Sequence, residues 1–182
     1  MKFIGIIPAR YASTRFPAKP LAVLGGKPVI QRVYEQVSGI LDETYVATDD
    51  ERIESAVKAF GGKVVMTSVY HKSGTDRCYE AYTKVGQGYD VVVNIQGDEP
   101  FIQKSQLEAV KACFEDPATQ IATLVKPFIP DDGLEALENV NSPKVVVGKN
   151  MNALYFSRSI IPFQRNVEKE GWLKGHTYYK HI

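Results

Sequence analysis

The sequence has few cysteines, almost no net charge and no long apolar run. Its 182 residues include two cysteines and carry a formal net charge of +1. This small charge gives no reason to expect nucleic acid or an anionic membrane as a partner, because both favour strongly basic surfaces. The apolar runs are far shorter than the roughly 20 residues of a membrane span, and Met1 leads directly into a strand pattern, not a signal peptide. Cys78 and Cys113 lack metal-ligand spacing, so we expect a cytoplasmic protein with reduced thiols.

Two common nucleotide-binding motifs are also missing. No G-x-x-x-x-G-K-[ST] segment is present, and no G-x-G-x-x-G fingerprint follows a strand. Their absence argues against a P-loop protein and against a NAD(P)-binding domain. Because the net charge is only +1, any positive charge that binds a ligand must be concentrated in a local segment.

The residues that are present fit a folded α/β domain. Hydrophobic residues make up 44% of the chain and charged residues 24%, as in soluble globular proteins. Strand-like apolar runs at 3–7, 44–48, 63–66 and 91–95 alternate with helical spacings, and the run at 91–95 is typical of a strand at the centre of a parallel sheet. The alternation predicts three layers around a doubly wound mixed sheet, with ligands at the carboxyl ends of its strands.

The pattern changes near Pro127, after which prolines and short strand candidates at 144–147 and 153–156 follow. We interpret the chain as a single domain over residues 1–182. Residues 1–126 would form the α/β core, and 127–182 a substrate-facing subregion.

The loop after the first strand carries three cations on a stiff backbone. Arg10, Arg15 and Lys19 lie among prolines at positions 8, 17 and 20, each of which fixes φ. Arginine and lysine match phosphate oxygens well, so the loop suits a triphosphate and could stabilise charge on a departing pyrophosphate. A solvated basic turn is the alternative, because most surface charges bind nothing specific.

The segment Asn-Ile-Gln-Gly-Asp-Glu-Pro follows the predicted strand at 91–95. Asp98 would then face the basic loop across the mouth of the site. A carboxylate beside a triphosphate usually holds Mg²⁺, which prefers one or two carboxylates together with phosphate oxygens. In the alternative interpretation, Asp98 and Glu99 form an ordinary turn before the next helix.

Two further segments contain polar residues with both structural and functional interpretations. In His-Lys-Ser-Gly-Thr-Asp-Arg, Ser73 or Thr75 could cap a helix, or the turn could bind a base edge or a phosphate. Arg77 lies one turn into that helix, where the helix dipole disfavours a cation. Arg158 lies in a mostly apolar stretch and should need an anionic partner, either a protein carboxylate or a substrate carboxylate.

Taken together and in this order, four segments resemble the 3-deoxy-manno-octulosonate cytidylyltransferases, or CMP-Kdo synthetases. They read IPARYASTRFPAKPL, HKSGTDR, NIQGDEP and NALYFSRSIIPFQR. The resemblance extends through essentially the whole chain. It implies a nucleotide-diphospho-sugar transferase fold and the formation of CMP-Kdo and pyrophosphate from CTP and Kdo. Residues 1–126 would then be the nucleotide-binding core, and 127–182 the sugar-acid and dimerisation subregion. The resemblance also implies a homodimer, with residues 155–163 as a candidate interface, and a role in lipopolysaccharide biosynthesis.

The resemblance assigns roles to individual residues. The triphosphate would be held by Arg10, Arg15 and Lys19, assisted by Ala9 and Ser13. Ser73, Thr75 and Arg77 would bind cytosine. Gln96 would lie near the nucleotide or the sugar, Asp98 would ligate Mg²⁺, and Arg158 and His181 would contact Kdo.

The family also leads us to expect further chain beyond residue 182, with a Gly-x-Tyr-x-Tyr stretch, a glutamate-rich sugar-binding segment and a second metal-binding aspartate. Without them a two-metal mechanism cannot be assembled, and the sequence offers no general base. Two alternatives therefore stay open: a CMP-sialate-type synthetase, and a nucleotide-binding module without activity.

Overall fold

The computed structural model describes residues 1–12, 16–86 and 88–182. These residues form two compact units, Met1–Ala112 and Cys113–Ile182. The predicted boundary between core and subregion was placed later, at residues 126 and 127. The interpretation of the chain as a single domain stays a prediction.

The first unit alternates strands and helices as the sequence predicted. Its elements in chain order are β1 (Phe3–Ala9), β2 (Val23–Leu24), β3 (Lys27–Pro28), α1 (Val29–Val37), β4 (Glu43–Thr48), α2 (Glu51–Ala59), β5 (Val64–Met66), α3 (Gly74–Val85), β6 (Val91–Asn94) and α4 (Lys104–Cys113). A short 3₁₀ turn, Lys19–Leu21, precedes the β2–β3 hairpin. The α/β class with a parallel central sheet is thus confirmed.

The parallel sheet has the strand order β5-β4-β1-β6. The chain builds outward from β1 through β4 to β5 and then returns to the other side of β1 to add β6. This reversal creates a topological switch point between β1 and β6, where the loops after the two strands diverge and leave a crevice. The loops that follow these two strands carry the candidate phosphate and metal residues.

The helices pack because their apolar residues recur at helical spacing. In α1, Ile30, Val33 and Val37 are fully buried. The inner residues of β1 and α3 meet in one core cluster that includes Ile4, Ile6, Ala47, Cys78 and Ala81. This cluster fixes β1 and α3, the two elements from which much of the candidate site is built.

The prediction that residues 91–95 lie at the centre of the sheet was wrong for the sheet that the structure describes. β6 pairs there with β1 and forms an edge, while β1 and β4 are the inner strands. Burial along β6 alternates, and Val92 is 40% exposed. Valine-rich composition did not distinguish a strand covered on both faces from one covered on a single face.

The second unit is built around a small antiparallel sheet. Its elements are β7 (Val125–Pro127), α5 (Gly133–Glu138), β8 (Lys144–Val147), β9 (Ala153–Ser157), α6 (Trp172–Gly175) and β10 (Tyr179–His181). The strand order is β7-β10-β8-β9. The core consists of Phe128, Leu137, Trp172 and Tyr178. None of the helices in the described part of the chain has the length and apolar character that a membrane span needs.

Candidate nucleotide site

A cavity of about 270 Å³ lies in the first unit, at the carboxyl ends of β1 and β6. It brings together most of the residues that the sequence nominated from this unit. The predicted residues that line it are Ala9, Arg10, Lys19, Ser73, Arg77, Gln96 and Asp98. Three separate segments therefore converge at the place that the fold class reserves for ligands.

The basic loop leaves β1 and folds back within a few residues. The amide of Ala18 donates to the Tyr11 carbonyl at 2.9 Å, which brings Lys19 back beside the strand end. The Arg52 guanidinium lies 3.3 Å above the Tyr11 ring and also pairs with Asp50. This stacking ties the loop to the start of α2. Ser13 and Arg15 fall outside the described residues, so their predicted roles stay predictions.

Lys19 and Asp98 form an ion pair across the switch point. The Lys19 ammonium lies 2.7 Å from the Asp98 carboxylate, and the two side chains are 40% and 52% exposed. A pair this exposed contributes only about 0–1 kcal/mol to stability. Both groups therefore remain available to a charged ligand that enters the cavity.

Gly97 is needed where the loop after β6 passes the end of β1. A Cβ at this position would lie 2.8 Å from the Pro8 carbonyl oxygen, closer than real Cβ contacts allow. The glycine therefore lets the loop after β6 pass close to the backbone at the end of β1. It sets Asp98 opposite Lys19.

The segment between β5 and α3 forms the third wall of the cavity. Ser73 caps α3, since its hydroxyl oxygen accepts from the Asp76 amide at 3.1 Å. The same serine lines the cavity, so the capping and binding interpretations are compatible. Thr75 lies exposed in the first turn of α3, outside the residues that line the cavity.

Arg77 lies in the cavity wall, but its guanidinium is already engaged. It is 4% exposed, its Nη2 donates to Asp49 at 2.8 Å and its Nη1 to the Thr67 hydroxyl at 2.5 Å. The unfavourable helix position of this cation is offset by a carboxylate from the end of β4. Its base-reading role stays a prediction, and Asp49 and Thr67 join the site as residues that the sequence reasoning missed.

His71 and Lys72 also line the cavity and were not singled out from the sequence. Both lie within the segment HKSGTDR that carried the resemblance, so the signal was present but had not been assigned to them. The imidazole of His71 bonds to the carboxylate of Glu80 on α3. Glu80 gave no signal, because a glutamate on a helix surface is ordinary.

The cavity offers a simple donor set for a divalent cation. No group of three or more histidine, cysteine or acidic side chains suited to a metal occurs among residues 1–12, 16–86 and 88–182. Asp98 alone supplies a carboxylate at the cavity mouth. One carboxylate fits Mg²⁺ that brings its own phosphate oxygens and waters, and it does not fit a metal held by protein groups alone.

Arg158 and His181 lie in the second unit, and the environment expected for Arg158 was wrong. Arg158 follows the exposed strand β9, is itself exposed, and donates to the Val140 carbonyl at 2.6 Å. Its partner in the structure is thus a backbone oxygen and not a carboxylate. His181 ends β10, where its Nε2 lies 2.7 Å from the Thr123 hydroxyl. An exposed guanidinium pays no desolvation cost, so burial does not argue for an anionic ligand.

A family model described as Cytidylyltransferase matches residues 4–182. The chain belongs to the cytidylyltransferase family. The 3-deoxy-manno-octulosonate cytidylyltransferase of Phocaeicola vulgatus is 98% identical over 182 residues, which are 100% of this chain and 72% of that protein. The protein of the same name from Bacteroides thetaiotaomicron is 84% identical over 100% of this chain and 73% of its own length.

The cytidylyltransferase fold is also seen in a solved relative. A structure of CMP:2-keto-3-deoxy-manno-octonic acid synthetase complexed with CTP matches with a TM-score of 0.88 and 42% identity, over 100% of this chain and 72% of that chain. The predicted fold class and the resemblance drawn from the sequence are confirmed.

Proposed function

We propose that this cytidylyltransferase transfers the cytidylyl group of CTP to 3-deoxy-manno-octulosonate. The anomeric hydroxyl oxygen of the sugar acid would attack the α-phosphorus. A new P–O bond forms, the bond between the α-phosphorus and the bridging oxygen breaks, and pyrophosphate leaves. The hydroxyl proton passes to solvent, and the products are CMP-Kdo, a precursor for lipopolysaccharide, and pyrophosphate.

The observation that carries the proposal is the pairing of Lys19 with Asp98 at the switch point of a chain so similar to named cytidylyltransferases. A cation on one loop and an anion on the facing loop match a nucleotide triphosphate that carries a divalent cation. Arg10 and Lys19 would bind the phosphates. Gln96 and the turn at residues 73–77 would contact the nucleoside.

We extend the proposal to Mg²⁺, with Asp98 as its protein ligand. The bound ion would neutralise phosphate charge and polarise the reacting phosphoryl group. Lys19 would leave Asp98 for the phosphates and stabilise negative charge as pyrophosphate departs. Arg10, at the exposed mouth of the cavity, would bind phosphate oxygens bidentately.

In the second unit, we propose that Arg158 and His181 contact the Kdo carboxylate and hydroxyls. The guanidinium donates to a neutral carbonyl, so its charge is available to an anion. A substitution Arg158→Ala should raise the KM for Kdo more than the KM for CTP. Equal KM values for Kdo in wild type and variant would remove Arg158 from the acceptor site.

A cytoplasmic homodimer is the remaining part of the proposal. β9 and the segment after it expose several large apolar side chains, among them Leu154, Tyr155 and Phe163, the last 73% exposed. Such a patch is typical of an interaction surface. Light scattering after size exclusion should give twice the mass of one chain, and Phe163→Glu should reduce it. A monomeric mass at micromolar concentration would contradict the dimer.

The activity is tested by mixing the purified chain with CTP, Mg²⁺ and Kdo and following pyrophosphate release. Asp98→Asn removes the charge of the proposed metal ligand, and Glu99→Gln, on the next exposed side chain, is its matched control. We expect release with wild type and Glu99→Gln and a large loss with Asp98→Asn. Release with sialic acid in place of Kdo would favour the sialate alternative, and CTP binding without release would favour an inactive nucleotide-binding module.

A further inference from the structure

One carboxylate outside the cavity holds the segment between β5 and α3, which forms a cavity wall. Glu80 lies on α3 and is not among the residues that line the cavity. Its Oε2 accepts from the Ser68 amide at 2.9 Å and bonds to the His71 Nε2. Its Oε1 lies 2.6 Å from the Lys84 ammonium, one turn further along the helix.

These bonds fix a stretch that has little else to hold it. The strand end of the segment is tied by the Thr67 amide to the Thr48 carbonyl at 2.8 Å, and the helix end by the Ser73 cap. Between these ties, Glu80 is the only residue outside the segment that hydrogen-bonds to residues 68–72 in the described part of the chain, and the bond from the Tyr70 amide to Ser68 is internal to the segment. Ordering such a stretch costs conformational entropy, so these bonds determine where it lies.

Glu80 also sets the state of an imidazole in the cavity wall. An ionised carboxylate only accepts hydrogen bonds, so the His71 Nε2 must carry the hydrogen. The ammonium of Lys84, the Ser68 amide and His71 hold the pKa of Glu80 at about 2, so its carboxylate stays ionised at neutral pH. The orientation of His71 in the wall is therefore fixed by a residue that does not itself face the cavity.

We propose that Glu80 is a positioning residue for nucleotide binding, which acts by holding Ser68 and His71 so that residues 71–74 keep the shape of the pocket wall. The inference rests on the proposed CTP site. It assigns a role to a helix-surface glutamate that the nucleotide need never touch. A misplacement of about 1 Å caused by a distant mutation can cost about 100-fold in rate. Here the displaced groups line the proposed nucleotide site, so the loss should appear in the affinity for CTP.

A matched control exists on the preceding helix of the chain. Glu54 of α2 pairs with Lys58 four residues later, as Glu80 pairs with Lys84. The carboxylate of Glu54 has this helix pair but does not line the cavity. Comparing Glu80→Ala with Glu54→Ala therefore separates the loss of a helix ion pair from the loss of the tie to the wall.

The experiment measures CTP binding by calorimetry in Mg²⁺ buffer, together with kcat and both KM values, for wild type and three variants. We expect Glu80→Ala to weaken CTP binding by about 10-fold or more, with kcat and the KM for Kdo within about 3-fold of wild type. Glu80→Gln keeps one carbonyl acceptor and should fall between. Glu54→Ala should bind CTP as wild type does.

Hydrogen exchange of the uncomplexed chain gives a readout that does not depend on activity. The amides of residues 68–72 should exchange faster in Glu80→Ala and stay unchanged in Glu54→Ala. Wild-type binding of CTP combined with unchanged affinity in Glu80→Ala would overturn the positioning role and leave the proposed function intact. If wild type bound no CTP, the proposed function would fail as well. A loss of affinity in Glu54→Ala equal to that in Glu80→Ala would show a general helix effect and would also overturn the inference.

Discussion

Removing the carboxylate of Asp49 should destabilise the first unit strongly, because it would leave a buried guanidinium without its counter-charge. Arg77 is 4% exposed and lies 2.8 Å from Asp49, whose side chain is 18% exposed. Breaking a buried ion pair by deleting one partner costs about 3–5 kcal/mol. In a chain of this length, that corresponds to a fall in Tm of about 6–20 °C. Asp49→Asn also removes the counter-charge and keeps only an acceptor oxygen, so it should be more stable than Asp49→Ala by no more than about 1 kcal/mol, the net contribution of one hydrogen bond.

The assay is urea unfolding at neutral pH, followed by two signals. Far-UV circular dichroism reports on the helices of both units, whereas the fluorescence of Trp172, the one tryptophan in the sequence, reports on the second unit. The loss in Asp49→Ala should appear in the dichroism transition. Glu35→Ala is the control, since it breaks the exposed Lys27 pair with 42% exposure on each side and should cost at most about 1 kcal/mol.

A double variant tests the cause of the loss. If the uncompensated charge is responsible, Asp49→Ala combined with Arg77→Met should recover much of the stability that Asp49→Ala loses, because the buried charge is gone. A double variant no more stable than Asp49→Ala would refute this reasoning. So would a loss below about 1 kcal/mol in the single variant, which would mean that solvent reaches the guanidinium.

Three further predictions follow from single observations. Lys19→Ala should lower kcat/KM for CTP about 100-fold or more, while Lys27→Ala should not; an unchanged rate would remove Lys19 from catalysis. Because the pKa of Glu80 is lowered from 4.5 to about 2, its stabilisation is complete above pH 4.5 and lost as pH falls towards 2. Glu80→Gln should remove that part of the pH dependence of unfolding free energy, and parallel curves would contradict it. Burial raises the pKa of Cys78 to about 12, whereas Cys113 is exposed. A thiol reagent should therefore modify Cys113 quickly and Cys78 only after unfolding.

Much of the fold could be predicted because local patterns and long-range packing agree in this chain. The helical spacings between the apolar runs predicted the helices, and Ser73, one of the two candidate caps, is the residue that caps α3. The position of β6 could not be predicted, because strand order depends on which edge of β1 the returning chain joins. A run of valines carries no information about that choice.

In the candidate site, too, some features could be predicted from the sequence and others could not. Lys19 and Asp98 could be predicted to face each other, since both follow strands that end at the same edge of the sheet. The engagement of Arg77 by Asp49 could not be, because the two lie on different elements and the pair depends on packing of α3 against the ends of β4 and β5. The prediction of an anionic partner for Arg158 was wrong for a related reason. The apolar sequence around it was interpreted as buried, but β9 is an exposed strand.

The pairing of charges within the cavity has a consequence for the order of binding. Lys19 is neutralised by Asp98, and Arg77 by Asp49, before any ligand enters. A bare triphosphate would have to separate Lys19 from Asp98 and would leave that carboxylate facing its own negative charge. In the proposed site, a triphosphate that carries a divalent cation would exchange both partners at once, because the cation would meet Asp98 while the phosphates would meet Lys19. The exposed pair is weak enough for that exchange, whereas the buried pair of Arg77 and Asp49 is not. The exposed pair would therefore open on binding, and the buried pair would stay closed.

We therefore expect CTP affinity to rise steeply when Mg²⁺ is added, and Asp98→Asn should abolish most of that rise. Equal CTP affinity with and without Mg²⁺ in calorimetry would contradict the exchange.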